Sequence, residues 1–340
     1  MDNQFLLSLI FITSSFLLSL AVTFIYIDLA KKLNISSKPH VGGVRQDIVP
    51  TGGGICFGLV YFISFIIYSN FFFVPDSYAF SIIFGSSLIL IIGFLDDIFT
   101  LTSSFRLLIQ FIFILFIGYI FNIQDLVSET SPIAHSFLLF IYLIGLVWLI
   151  NTFNFIDGAD GLVCTNSIVF SVAGSIFFFL SESYSIGFHL LTLSAVCSGF
   201  LIFNWKPAKV FMGDCGSLYL GSVFVIYICG SIVNNEIPIW VWIILFSVFH
   251  IETTVTLLVR IWRGKNVLKE HHSLHAYQQI ILLTGDHSKP TKVSLIINLF
   301  WCIPLSLLCY FYPEYGPILA IITAFPLVLI FYYNGPYKVK

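Results

Sequence analysis

Apolar runs long enough to cross a bilayer recur along all 340 residues, and that recurrence decides most of what the chain can fold into. A helix needs roughly 20 apolar residues to span about 30 Å of hydrocarbon. Charged residues are 9% of the chain and hydrophobic ones 58%, whereas soluble domains are about one quarter charged. The reading is an all-α polytopic membrane protein, a bundle of about 11 transmembrane helices at approximately 5–27, 52–69, 78–95, 105–122, 135–153, 162–180, 186–203, 216–234, 238–259, 293–311 and 317–333. Most polar intervals are too short to fold alone, so residues 1–340 are expected to form one integral-membrane domain, with 261–291 its longest loop.

With loops alternating across the membrane, all 15 Lys and Arg residues fall on one side. The other side holds Asp2, Asp76, Asp125, Glu129, Glu182, Glu236 and Glu314. The positive-inside rule then puts the N-terminus outside and the C-terminus in the cytoplasm. Adding or deleting one span would scatter the basic residues. Only Asp2, and no basic segment, precedes the first apolar run, which is read as a span and not a cleaved signal. The net charge of −2 says little about partners beyond the bilayer, and no nucleic acid is expected. The seven cysteines lack a CxxC pair and read as small buried apolar residues.

Unusual polar residues collect on the basic side, in four clusters. Gly93-Phe94-Leu95-Asp96-Asp97 ends the third span, and Arg106 opens the fourth. The fifth span ends in Asn151-Thr152-Phe153-Asn154-Phe155-Ile156-Asp157-Gly158-Ala159-Asp160-Gly161. Between the seventh and eighth spans lie Asn204 and Val210-Phe211-Met212-Gly213-Asp214-Cys215-Gly216-Ser217. The long loop carries His271-His272-Ser273-Leu274-His275-Ala276-Tyr277-Gln278.

An ionised Asp in hydrocarbon costs on the order of 3 kcal/mol, so intramembrane carboxylates mark a site with partners. Adjacent acids such as Asp96 and Asp97 repel unless a cation is near, and otherwise one becomes suited to proton transfer. Oxygen ligands suit Mg²⁺ or Mn²⁺, which bind through one or two carboxylates plus substrate phosphate. The amides opening the eighth span favour an anion, and Arg and His supply donors for diphosphate oxygens. Each cluster also has a plainer reading. A DG pair makes a turn, paired acids stop a span, three histidines could bind zinc, and His250 with Glu252 reads as a packed hydrogen-bonded pair. Arg45 and the Pro50-Thr51-Gly52-Gly53-Gly54 entry to the second span could meet a phosphate or only anionic lipid.

From about Lys38 to Gln278, these four motifs in this order resemble the polyprenyl-phosphate N-acetylhexosamine-1-phosphate transferase superfamily (glycosyltransferase family 4). Eleven spans and the loop sequence are closer to its WecA/WbpL-like branch than to the MraY branch. The resemblance implies that an undecaprenyl phosphate acceptor attacks the β-phosphorus of a UDP-N-acetylhexosamine, releasing UMP and starting a lipid-linked envelope glycan of O-antigen type in a bacterial inner membrane. It implies a Mg²⁺ cofactor, with Mn²⁺ as a substitute, held by Asp214 and Asn154. Asp157 and Asp160 would organise the metal surroundings and nucleotide, and Asp96 and Asp97 would receive the lipid phosphate. Phe211 would stack on uracil, while Asn151, Asn204, Arg106, Arg45, His271, His272 and His275 would contact substrate. Arg106 stands where many members have Lys, and the loop lacks the consecutive histidines of the MraY branch. The donor therefore reads as UDP-GlcNAc or a UDP-N-acetyl-6-deoxyhexose, with UDP-MurNAc-pentapeptide as the alternative, and a cation-coupled transporter as the reading from another class. Monomer or homodimer stays open, as does one-step displacement against an aspartyl-phosphate route.

Overall fold

The computed structural model describes residues 2–37, 48–127, 131–264 and 275–335. Their regular structure is helical: α1 (Asp2–Lys32), α2 (Gly54–Ser69), α3 (Asp76–Phe99), α4 (Ser103–Ile120), α5 (Pro132–Ile156), α6 (Leu162–Leu180), α7 (Tyr184–Asn204), α8 (Gly213–Val233), α9 (Ile239–Leu245), α10 (Ser247–Trp262), α11 (Ala276–Thr284), α12 (Lys289–Phe311) and α13 (Pro313–Asn334). The protein is an all-α polytopic membrane protein. Among the described residues nine helices are long and apolar enough to cross a bilayer, and α9 with α10, bent by 71°, counts as a tenth crossing when taken together.

The remaining expected span is α2, whose 16 residues fall short of a straight crossing. It starts late because the preceding backbone is engaged elsewhere: Gly53 and Gly54 N–H donate to the Phe211 and Met212 carbonyls, each at 2.9 Å. The described part of the 261–291 interval also holds a helix of its own. Residues Ala276–Thr284 form α11, which buries Ala276, Tyr277, Gln279 and Ile281 against the bundle.

The centre of the bundle is α8, where every residue from Cys215 to Ser231 is buried. A helix apolar all round and studded with Gly and Ser suits this place, since small residues let neighbouring backbones approach. Its Phe224 stacks on Phe153 of α5 at 5.5 Å, Phe153 meets Phe249 of α10 at 5.0 Å, and Phe170 of α6 meets Phe246 at the α9–α10 break at 4.5 Å. These rings tie the broken span to the middle of α8 and to the end of α5 that carries Asn151 and Asn154. The seven cysteines are free and buried, as their spacing indicated.

Candidate active site

Helix ends bring the polar side chains together. Asp96, 7% exposed near the end of α3, accepts from the Leu101 N–H at 2.5 Å through Oδ1 and from Arg106 Nη1 at 2.7 Å through Oδ2. The same Nη1 pairs with Oδ2 of Asp214 in the first turn of α8. Asp214 Oδ1 accepts from Asn154 Nδ2 of α5 at 2.8 Å, and that nitrogen also lies 3.1 Å from Ser217 Oγ. Four helices, α3, α4, α5 and α8, thus contribute Asp96, Arg106, Asn154 and Asp214 to one cluster.

Asp97 does something else. Its two carboxylate oxygens accept from the Asp214 and Cys215 N–H groups, both at 3.1 Å. The amides opening α8 attract an anion, as the sequence indicated, and in this structure the anion is the protein's own Asp97. Gly213 makes the approach feasible. Its φ is +70°, and a Cβ there would strike the Asp97 carboxylate.

The remaining motif residues are shared between an open cavity and the scaffold. A cavity of about 530 Å³ between α4, α5, α10 and α11 is lined by Arg106, Asn151, Asn154, Arg260, His275 and Tyr277, among others. Asn151 also donates to Gln110 Oε1 at 2.5 Å. Asn204 is buried, and its Nδ2 donates to the Val210 carbonyl at 2.9 Å, bracing the chain ahead of α8. Asp160 accepts from the Ala208 N–H at 3.3 Å, and its carbonyl accepts from Thr291 Oγ1 at 2.8 Å. Asp157 is half-buried at the C-terminal cap of α5. Phe211 is half-buried too, with its N–H donating to the Pro50 carbonyl at 2.8 Å. Pro50–Gly54 is therefore part of the packing around α8. Arg45, His271 and His272 lie outside the described residues.

A second cavity, of about 640 Å³ and almost wholly apolar, follows α5 along α9 and the start of α10. Trp148 lines both cavities and donates to Thr254 Oγ1 at 3.1 Å where they meet. A polar chamber thus adjoins an apolar groove at the broken span.

Sequence reasoning missed Arg260 and the true partner of Glu252. Arg260 is a buried cation at the end of a span, the same signal that exposed the aspartates. Glu252 binds His275 Nδ1 at 2.7 Å, while His250 turns to the Ile243 carbonyl at 2.8 Å. Tyr277 was missed as well; burial, with the Glu252 and Asp157 charges nearby, raises its phenol well above the ordinary range.

Among the described residues no group of three or more His, Cys, Asp and Glu side chains is gathered around one point. The pair Asp96 and Asp214, already converging on a guanidinium cation, suits a hard cation that completes its shell with water and substrate phosphate. Asn154 would contribute through Oδ1, since its Nδ2 is directed at Asp214.

The family model for glycosyl transferase family 4 matches residues 79–232, which include the Asp96–Asp97, Asn154 and Asp214 motifs. A phospho-N-acetylmuramoyl-pentapeptide-transferase of Prochlorococcus marinus (strain NATL2A) is 29% identical over 86% of this chain and 82% of its own. One from Staphylococcus saprophyticus is 26% identical over 85% of this chain and 94% of its own. A probable undecaprenyl-phosphate N-acetylglucosaminyl 1-phosphate transferase of Bacillus subtilis (strain 168) is 25% identical, over 89% and 85%. Over most of its length the chain is thus similar to phosphotransferases of the polyprenyl-phosphate N-acetylhexosamine-1-phosphate transferase superfamily, which fits a multi-pass phosphotransferase of a bacterial membrane.

Proposed function

We propose that the protein transfers N-acetylhexosamine-1-phosphate from a UDP-sugar to undecaprenyl phosphate at the cytoplasmic face, with Mg²⁺ as cofactor. One observation carries this reading: the Asp96–Arg106–Asp214–Asn154 cluster sits at the edge of a polar chamber that adjoins an apolar groove. The groove suits a polyprenyl chain, and the chamber suits a nucleotide diphosphate. An acceptor phosphate oxygen bonds to the donor β-phosphorus, the bond from that phosphorus to the oxygen bridging the two phosphates breaks, and UMP leaves with that oxygen. A metal held by Asp214 and Asp96 would neutralise charge on the diphosphate.

Arg106 and Arg260 bind anionic oxygens, and Asp96 fixes Arg106 through its 2.7 Å contact. Because a phosphate monoester is already largely ionised near neutral pH, positioning and charge neutralisation carry more of the rate than a base does. Single displacement follows from two anionic substrates held in line.

The donor is UDP-GlcNAc or a UDP-N-acetyl-6-deoxyhexose, feeding a lipid-linked glycan of O-antigen type in an inner membrane. The second reading, a muramoyl-pentapeptide donor, is favoured by the names of several relatives. Purified protein given undecaprenyl phosphate, Mg²⁺ and each UDP-sugar separates them by the mass of the lipid product. A lipid diphosphate N-acetylhexosamine supports the first donor class, a muramoyl-pentapeptide lipid the second, and no lipid product from folded protein refutes both.

A further inference from the structure

The loops that follow α2, α6 and α8 meet the starts of α1 and α7 around a cavity of about 930 Å³. Asp214 opens α8 and Glu236 follows its last residue, so this 21-residue helix sets the cavity roughly 30 Å from the active site. The volume is that of a small-ligand pocket. Eight of the fifteen lining residues are aromatic, two are the carboxylates Glu182 and Glu236, and none is Lys, Arg or His.

Glu236 is partly buried, and its carboxylate accepts from Ser183 Oγ and, at 3.4 Å, from the Tyr78 hydroxyl. These neighbours and Asn234 are neutral, and among the described residues no cation pairs with Glu236 or Glu182. Burial accordingly raises the Glu236 carboxyl above its ordinary range, as expected of a charge short of compensation. Ser185 Oγ, also on the cavity wall, is shut away from water without a hydrogen-bond partner. The rings support one another: Tyr68 stacks on Phe72 at 4.2 Å, and Phe179 meets Phe188 at 5.1 Å.

Aromatic faces attract cations, and a carboxylate among them selects a cation that carries N–H donors. Phe5 and Phe71, more than half exposed, continue the cavity onto the apolar exterior, so the ligand that fits it also has apolar chains. We propose that this cavity binds a phospholipid with a primary ammonium headgroup, of the phosphatidylethanolamine type, from the leaflet opposite the active site. Glu236 accepts from the ammonium, the rings enclose it, and the acyl chains run along Phe5 and Phe71.

Native mass spectrometry tests it, on purified protein in mixed micelles that hold equal amounts of phosphatidylethanolamine and phosphatidylglycerol with the same acyl chains. The wild-type protein should retain the ethanolamine lipid over the glycerol lipid about tenfold, the scale of one hydrogen bond to a charged group. Glu236→Gln keeps an acceptor for Ser183 and removes the charge, so the preference should fall to about twofold or less. Phe73 is 84% exposed, so Phe73→Ala spares the fold while removing a ring from the cavity wall. It should lower retention of the ethanolamine lipid about two- to fivefold, which keeps the test open should Glu236→Gln fold poorly.

Equal retention of the two lipids by the wild-type protein would overturn the proposal, as would a preference for the glycerol lipid. An ethanolamine preference that survives undiminished in both variants would overturn it too, because the lipid would then be held elsewhere on the protein. The test uses no UDP-sugar, so its outcome is separate from that of the transferase reading.

Discussion

Asp96 and Asp97 are neighbours with different tasks, and Asp97→Asn separates them. The Asp97 carboxylate accepts two backbone N–H groups at 3.1 Å at the start of the central helix. Asparagine offers one oxygen and an NH₂ group, so one contact loses its charge and the other sets donor against donor. A hydrogen bond to a charged group contributes about 1.5–3 kcal/mol, and leaving a buried donor unsatisfied costs about 1–3 kcal/mol. The anion's interaction with the helix dipole adds roughly 0.3–1 kcal/mol. Since the terms overlap, the expected loss is on the order of 3 kcal/mol. The assay is thermal unfolding in detergent, read by the fraction that stays monodisperse on size exclusion, with turnover measured on the folded fraction well below the transition. Asp97→Asn should melt several degrees lower yet retain measurable turnover when cold. Asp96→Asn, which loosens Arg106 but leaves α8 capped, should lose turnover with a smaller change in melting. Unchanged melting with abolished turnover for Asp97→Asn would refute the capping account and make Asp97 a reacting group.

Asp214→Asn should remove nearly all turnover while leaving membrane insertion intact, checked by initial rates against the yield of monodisperse protein. Arg106→Met leaves Asp96 and Asp214 without their resident cation, so Mn²⁺ should bind about tenfold more tightly by electron paramagnetic resonance even as turnover falls; weaker binding would show that Arg106 helps to build the metal site. Phe211→Ala should raise KM for the UDP-sugar more than it lowers kcat, and an unchanged KM would count against stacking on uracil. Gly54→Ala places a methyl group against the Gly216 backbone and should cost about 1–3 kcal/mol of stability, seen as a lower melting temperature with an unchanged KM.

The membrane class and the helical segments were legible because hydrocarbon thickness fixes span length, and the site motifs because Asp and Asn are costly in such segments. What pairs with what was not legible. Consecutive residues on a helix point about 100° apart, so Asp96 faces Arg106 while Asp97 faces the amides of α8. For the same reason His250 and Glu252, two residues apart, do not share a face, and Glu252 finds His275 instead. The short α2 follows from the docking of Gly53 and Gly54 on Phe211 and Met212, a long-range backbone contact that leaves no periodic trace in the sequence. Residues 261–291 read as a polar loop because α11 is a helix of only nine residues, too short for its apolar positions to register as a span.

The most direct measurement follows the donor's two phosphates. Wild-type protein is supplied with undecaprenyl phosphate, Mg²⁺ and a UDP-N-acetylhexosamine labelled with ³²P at the β-phosphorus, and the nucleotide and lipid fractions are counted. The account predicts unlabelled UMP and a lipid carrying both the label and the sugar. Labelled UDP beside a sugar-bearing lipid without the added phosphorus would contradict it, because the bond broken would then be the one between sugar and β-phosphate.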